Sequence, residues 1–268
     1  MPQTINTNMA SLNAQRNLNS SQSALATSMQ RLSSGLRVNS SKDDAAGMAI
    51  ADRMNAQVRG INVAIRNAND GVSLAQTAEG ALATITDALQ RMRELAVQAQ
   101  NGSNGTTDRA NLDQEYQQLS QEIARIAAQT RFGGTAIIGP SAGAMVFLVG
   151  PNNGDTLTVT TTQVTTVVGG LTTAAAASTA VFDIDAKLDV INSSRATYGA
   201  VMNRFALAIQ NLQTTGENTS AARGRIMDAD YAAETSNLAR AQILQQAGTA
   251  MVAQANQIPN QVLQLLRS

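Results

Sequence analysis

Between Met54 and Ala99 apolar side chains recur at Met54, Val58, Ile61, Ile65, Ala68, Val72, Ala75, Ala78, Leu82, Ile85, Leu89, Met92, Ala96 and Ala99. The steps between them are threes and fours, so one helical face stays turned toward a partner over roughly six heptads. At ~1.5 Å per residue this is a rod of about 70 Å, against the ~11 residues of an ordinary globular helix. Val72, Ala75 and Ala78 give two successive steps of three, a stammer that locally overwinds a coil. With Gly80 just beyond, a bend or a change of partner is expected there. A rod with one apolar stripe must be covered, and what covers it defines the fold.

The rest of the chain supplies candidates. A stripe begins at Ile5, Met9 and Leu12 and continues through Leu18, Leu25, Met29, Leu32 and Leu36, flanked by Asn, Gln and Ser rather than by Glu and Lys. Such flanks fit either a polar surface or a face that hydrogen-bonds to neighbouring copies. Gly35 and the run Asn39 to Asp44 break this helix, and Asp43 or Asp44 is placed to cap the rod. After the turn cluster Asn101-Gly102-Ser103-Asn104-Gly105, Asp108 is placed to cap a return helix. Its Leu112, Tyr116, Leu119, Ile123 and Ile126 suit an antiparallel partner for the rod, and Phe132-Gly133-Gly134 ends it.

From Thr135 to Ala180 the period changes. Met145 to Val149 and Thr156 to Val159 flank Gly150-Pro151-Asn152-Asn153-Gly154-Asp155, a hairpin pattern rich in β-formers. Thr160 to Thr166 extends the second strand, while Gly169-Gly170 and Ala174 to Ala177 read as a low-complexity loop with little order. Helical spacing resumes at Ile184 and runs through Leu188, Ile191, Tyr198, Met202, Phe205, Ile209 and Leu212. Arg195 interrupts that stripe, either laid along the seam with its head in solvent or held in a salt bridge or subunit contact. Thr215 to Asn218 and Gly224 loosen the chain. A last helix carries Leu238, Leu244, Ala247, Met251, Ala255, Ile258, Val262, Leu265 and Leu266, and Pro259 should kink or end it.

The layout is a palindrome of types: helix, rod, return helix, small β region, rod, helix. The fold class expected is mainly α, an elongated antiparallel coiled-coil or helical bundle with paired N- and C-terminal helices and a small β-hairpin region in mid-chain.

Composition narrows the function. The chain has no Cys, His or Trp, and aromatics are 3% of it. The commonest general base, the thiol nucleophile and the soft metal ligands are therefore missing. No enzyme, metal site or cofactor is expected, and Asp43-Asp44 reads as a helix cap rather than a catalytic carboxylate pair. Lys and Arg number 19 and Asp and Glu 19, so nothing draws the chain to nucleic acid or an anionic membrane. Met1 to Asn19 lacks the apolar core of a signal peptide, and no apolar run approaches the ~20 residues of a membrane span.

Several motifs are specific. Leu32-Ser33-Ser34-Gly35-Leu36-Arg37-Val38-Asn39, Asp43-Asp44-Ala45-Ala46-Gly47 and Gln90-Arg91-Met92-Arg93-Glu94-Leu95-Ala96-Val97-Gln98 resemble bacterial flagellin. So do Ser220-Ala221-Ala222-Arg223, Arg225-Ile226-Met227-Asp228-Ala229-Asp230 and Ala241-Gln242-Ile243-Leu244-Gln245-Gln246-Ala247-Gly248-Thr249-Ala250-Met251. The likeness covers about residues 1–138 and 181–268.

The resemblance implies a filament subunit that polymerises for swimming motility. Residues 1–42 with 228–268 then correspond to the family's inner-tube domain, and 43–138 with 181–227 to its outer-tube rod domain. Residues 139–180 form a short variable β-rich region with no room for large outer domains. The resemblance further implies other copies of the chain as partners, and export in unfolded form to the extracellular filament without a cleaved signal peptide. It also implies an export chaperone at the C-terminal helix, and filament cap and junction proteins. Leu18, Leu25, Leu32, Leu244, Met251, Ile258 and Val262 are the packing residues expected in the tube core. Some family members are detected by Toll-like receptor 5 through an Arg-x-x-x-Leu on the rod and a Glu on the return helix. Here these are Arg91, Leu95 and Glu115, with Arg91 and Leu95 four apart on a face displaced from the stripe. A hook–filament junction protein or a secreted coiled-coil adhesin would share parts of the pattern.

Overall fold

The computed structural model describes residues 7–139, 142–166 and 169–265, with side chains as far as Gln257. Helices α1 (Met9–Ser34), α2 (Ala45–Gln100) and α3 (Thr106–Gln129) are followed by strands β1 (Arg131–Phe132), β2 (Thr135–Ala136), β3 (Ala144–Leu148) and β4 (Thr156–Thr160). Helices α4 (Ala174–Met227) and α5 (Tyr231–Leu265) complete the chain. Among the described residues the protein is mainly α, with two separate two-stranded antiparallel sheets, β1-β2 and β3-β4. It divides into two compact units, Gln57–Glu217 and Met1–Ala56 with Asn218–Ser268.

In the unit Gln57–Glu217 the α2 stripe is the core. Ile61, Ala68, Ala75, Ala78, Leu82, Ile85, Leu89, Met92, Ala96 and Ala99 are buried, and Ile65 and Val72 half-buried. Helix α2 runs unbroken through Gly80, so the stammer ends no helix; buried Leu74 broadens the apolar face where the steps shorten. Tyr116, Ile123 and Ala127 of α3 and Ile184, Ile191, Tyr198 and Phe205 of α4 are buried. All but Ala127 join the α2 residues from Ala68 onward in one cluster. Arg195 of α4 reaches Glu79 of α2, Nη2 to Oε1 at 2.9 Å. The salt bridge is therefore the alternative realised.

The β3-β4 hairpin follows the alternation expected. Met145 pairs with Val159 and Phe147 with Leu157, and Leu157 and Val159 are buried. Glycines and one amide seat it. A Cβ on Gly71 of α2 would collide with the Phe205 ring, and one on Gly60 would lie 3.1 Å from Pro151 Cβ. Phe147 meets Phe205 edge-on at 5.7 Å, and Asn67 Nδ2 donates to Leu148 O at 3.0 Å.

Several boundaries differ from the sequence expectation, each for a local reason. Strand β4 stops at Thr160: the next residue, Thr161, turns its hydroxyl onto Gly143, whose N–H donates to Oγ1 at 2.7 Å. Beyond it Val164 N–H donates to Ile138 O. A small hairpin, β1-β2, turns on Gly133 (φ 56°) and Gly134 (φ 86°), a pair of left-handed residues suited to a tight two-residue turn. Ala174 to Ala177 is the first turn of α4 rather than loop. Thr173 Oγ1 accepts the Ala176 N–H at 3.1 Å, Ala177 is fully buried, and alanine is the best helix former. Thr215 to Asn218 and Gly224 do not interrupt α4. Burial of Leu212 against Ile61 and Ala64 outweighs propensity penalties of at most ~1 kcal/mol per residue. Asp44, not Asp43, caps α2 by accepting the Gly47 N–H at 2.8 Å, while Asp43 accepts the N–H groups of Asn39 and Ser40. Asp108 lies inside α3 and reaches back to the Gly105 N–H at 3.0 Å. Helix α5 begins at Tyr231 and continues through Pro259.

The Tyr116 hydroxyl is buried without a hydrogen-bond partner. Burial pushes its pKa up from 10.0 to about 12, with Asp183 and Asp113 opposing the phenolate as well. The neutral phenol is the form that folding favours. Its contribution to stability is therefore complete below pH 10.0 and lost as pH rises through about 12. Tyr116→Phe should remove that part of the alkaline loss. At neutral pH it should leave stability within about 1 kcal/mol, because no hydrogen bond is broken. Chemical denaturation at both pH values checks this.

Candidate assembly surface

In the unit Met1–Ala56 with Asn218–Ser268, α1 and α5 pair antiparallel, Ser11 lying against Asn256 and Arg31 against Glu234. The fully buried positions of the seam are small or polar. Ser11 and Ser28 of α1 and Glu234, Ala241 and Ala255 of α5 are buried. Leu18, Leu25, Leu32, Leu238, Gly248 and Val252 are half-buried. A Cβ on Gly248 would sit 3.1 Å from Leu18 Cδ1, so this glycine lets the two helices come close. The polar flanks meet across the seam within one chain: Ser11 Oγ donates to Asn256 Oδ1 at 2.7 Å.

Proline 259 explains one contact. It has no N–H to donate to the carbonyl four residues back, Ala255 O. That carbonyl accepts Asn8 Nδ2 at 2.7 Å instead. The same side chain caps α1, its Oδ1 accepting the Ser11 N–H at 3.1 Å. One asparagine thus starts the first helix and repairs the last.

At the other end of this unit the chain crosses itself at an isolated antiparallel bridge, Leu36 to Asp228. Gly35, at φ 71°, closes α1. Arg37 Nη2 donates to Ile226 O at 2.8 Å, placing a cation on the last carbonyls of α4.

Other bulky apolar residues point elsewhere. Met9, Leu12 and Met29 of α1 and Tyr231, Ile243, Leu244 and Met251 of α5 are exposed, Ile243 at 66%, Leu244 at 51% and Met251 at 63%. Leu244 and Met251 are seven residues apart and so share a face. The seven packing residues named from sequence therefore separate. Leu18, Leu25 and Leu32 are half-buried in the seam within the chain, Leu244 and Met251 are uncovered, and Ile258 and Val262 lie outside the residues whose side chains are described. Sequence reading did not single out Ile243, which lies off the main stripe, nor the buried Ser11 and Ser28.

On the other unit, Arg91 and Glu115 meet through Nε and Oε1 at 2.8 Å, and Arg91 also binds Glu94 at 3.0 Å. All three side chains are substantially exposed. Leu95 is different: it is 1% exposed and joins the core with Met92 and Ala99. The shared displaced face is therefore corrected, because the α2 apolar surface is broad enough to take Leu95 in. Among the described residues no helix is long and apolar enough to cross a membrane.

Paired chain ends with an uncovered apolar edge, joined to a well-packed helical unit, define a helical structural protein made to associate. Comparison with known proteins gives the family. The model described as "Bacterial flagellin N-terminal helical region" matches residues 5–140, and "Bacterial flagellin C-terminal helical region" matches 181–266. A flagellin from Halalkalibacterium halodurans is 43% identical, covering 98% of this chain and 99% of its own. One from Xenorhabdus nematophila is 42% identical over the whole of both. The crystal structure of Bacillus cereus flagellin, 36% identical, covers 59% of this chain and 94% of its own with a TM-score of 0.52. The chain belongs to the bacterial flagellin family, the structural subunits of the flagellar filament. The junction-protein and adhesin readings gain no support.

The Asn8–Pro259 relation is open to a double-mutant cycle. Asn8→Asp keeps an acceptor for the α1 cap but loses the donor to Ala255 O, and should cost the filament about 1–3 kcal/mol. Pro259→Ala restores a backbone donor, so in that background the Asn8→Asp cost should shrink markedly. Thermal depolymerisation of the four proteins measures both numbers.

Proposed function

We propose that this flagellin polymerises through its terminal pair, residues 1–42 with 228–268 lining the inner tube. Residues 43–138 with 181–227 then form the outer tube, with 139–180 facing outward. One observation carries the reading: the fully buried positions of the α1–α5 seam are small or polar, its leucines are only half-covered, and Ile243, Leu244 and Met251 remain bare. Covering each such side chain contributes ~1.5–3 kcal/mol, and other copies of the same helix pair offer the cover. Each subunit's role is packing, and no residue is assigned catalysis or a cofactor.

The same exposed edge gives a reason for an export chaperone on α5, since bare apolar helix aggregates before assembly. It also suits capture by a filament cap and a junction protein at the growing and basal ends. Export would deliver the subunit to the extracellular filament. A Toll-like receptor 5 contact would rest on Arg91 and Glu115, already paired and exposed, with Leu95 beneath them in the core.

The test is seeded polymerisation of Leu244→Ser with Met251→Ser, followed by sedimentation and electron microscopy. Filament yield should fall to background while the melting of Gln57–Glu217 is unchanged; normal filaments would overturn the proposal. Limited proteolysis of the unassembled subunit should cut up to about Ser41 and after about Asp228 and leave the middle intact. The proposal includes that the terminal helices become firmly ordered only as subunits dock, and uniform resistance would count against it.

A further inference from the structure

The chain contains three Asn-Gly pairs: Asn101-Gly102, Asn104-Gly105 and Asn153-Gly154. In such a pair the glycine nitrogen, unshielded by any side chain, is the nearest nucleophile to the asparagine amide carbon. Reaction requires that nitrogen to be free and the amide to swing toward it. The fold treats the three pairs differently.

At Asn104-Gly105 both groups are held. The Gly105 N–H donates to Asp108 Oδ2 at 3.0 Å, and Asn104 Nδ2 donates to Gln98 O at 2.7 Å. At Asn101-Gly102 the Gly102 N–H has no partner, but Asn101 itself is held at its side chain and its carbonyl. Its Oδ1 accepts the Ser103 N–H at 3.3 Å. Its carbonyl accepts the Asn104 N–H at 3.2 Å and Arg109 Nη2 at 3.2 Å. At Asn153-Gly154, in the β3-β4 turn, nothing holds either group. Both residues are exposed, and neither the Asn153 side chain nor the Gly154 N–H has a hydrogen-bond partner. The neighbouring bonds bypass them, from Asn152 N–H to Asp155 Oδ2 and from Thr156 N–H to Gly154 O. Gly154 sits at φ 103°, a conformation open to glycine.

We propose that Asn153 is a built-in deamidation site, the Asn-Gly pair at which the folded chain first converts itself from neutral to acidic. Gly154 N attacks Asn153 Cγ and its proton passes to the departing amide. The new N–Cγ bond closes a succinimide as the Cγ–Nδ2 bond breaks, and ammonia leaves. Water then opens the imide at either carbonyl, giving aspartate or isoaspartate. No oxidant or reductant is involved. Formal net charge goes from zero to one negative, with the new carboxylate beside Asp155 on the hairpin tip.

The experiment ages full-length protein at mildly alkaline pH, alone and in unfolding urea, and follows each pair by peptide mass spectrometry and isoelectric focusing. In the folded protein Asn153 should convert first, with Asn104 slower by about tenfold or more, the loss of a hydrogen bond expressed as a rate. In urea the three should converge. Asn153→Gln should abolish the early acidic shift. Asp108→Ala, which frees the Gly105 N–H, should raise conversion at Asn104 alone. Conversion led by Asn101 or Asn104 in the folded chain would overturn the proposal. So would the same ranking in urea, or no response of Asn104 to Asp108→Ala.

Discussion

The apolar edge of α2 fixes where everything else in Gln57–Glu217 can go. Much of that edge is alanine: Ala68, Ala75, Ala78, Ala96 and Ala99 are all buried. Alanine lets a neighbouring backbone approach but fills little volume, so the bulk comes from the other side. Tyr116 and Ile123 of α3, Tyr198 and Phe205 of α4, and Leu157 and Val159 of β4 supply it. The bare backbone at Gly71 takes the Phe205 ring, and Phe205 in turn takes Phe147. A hairpin with only two strands is marginal alone. Here it is held because its inner face completes a core begun by the helices.

The terminal pair solves its packing differently. Its seam buries serine, alanine and glutamate, which contribute far less hydrophobic stabilisation than leucine or methionine. What the seam offers instead is closeness and polar satisfaction, seen at Gly248 against Leu18 and at Ser11 against Asn256. The larger side chains, Met29, Ile243, Leu244 and Met251, are left facing out. On the proposed reading this division is what a polymer subunit needs: enough internal fit to set register, with most of the apolar free energy reserved for association.

Much of this was readable in the sequence. The three-four spacing from Met54 to Ala99 located the rod and its buried face, and the alternation around Asn152-Asn153 located the hairpin. The alanine run at 174–177 has the low complexity of a loop, but the helix propensity of alanine prevails. The loosening at Thr215 to Asn218 failed because packing at Leu212 overrides weak local preferences. Leu95 reads as lying on a separate face only if one stripe is the whole apolar surface of α2, and that surface is broader. At the candidate site, the stripes on both terminal helices were visible. Which leucines face the partner helix and which face outward was not, because that depends on the phase fixed by small contacts such as Gly248 with Leu18.

The Asn8 bond shows why the crossing at residues 35–38 and 226–229 matters. Asn8 and Ala255 are 247 residues apart in sequence, and a loop of that length is costly to close. The Leu36–Asp228 bridge shortens the effective loop by about two doublings, which at about 0.6 kcal/mol each lowers the closure cost by about 1.2 kcal/mol. That is comparable to a hydrogen bond's net contribution, about 1 kcal/mol. The crossing is itself well secured, by Arg37 N–H to Met227 O at 2.7 Å, Ala229 N–H to Gly35 O at 2.9 Å and the Arg37 guanidinium on Ile226 O. On that accounting the least costly way to build the pair is from the crossing outward, α1 and α5 closing toward Asn8 and Ala255. A seam of small residues is suited to this, because each step gains little and the register is set by the anchored end rather than by any one large side chain.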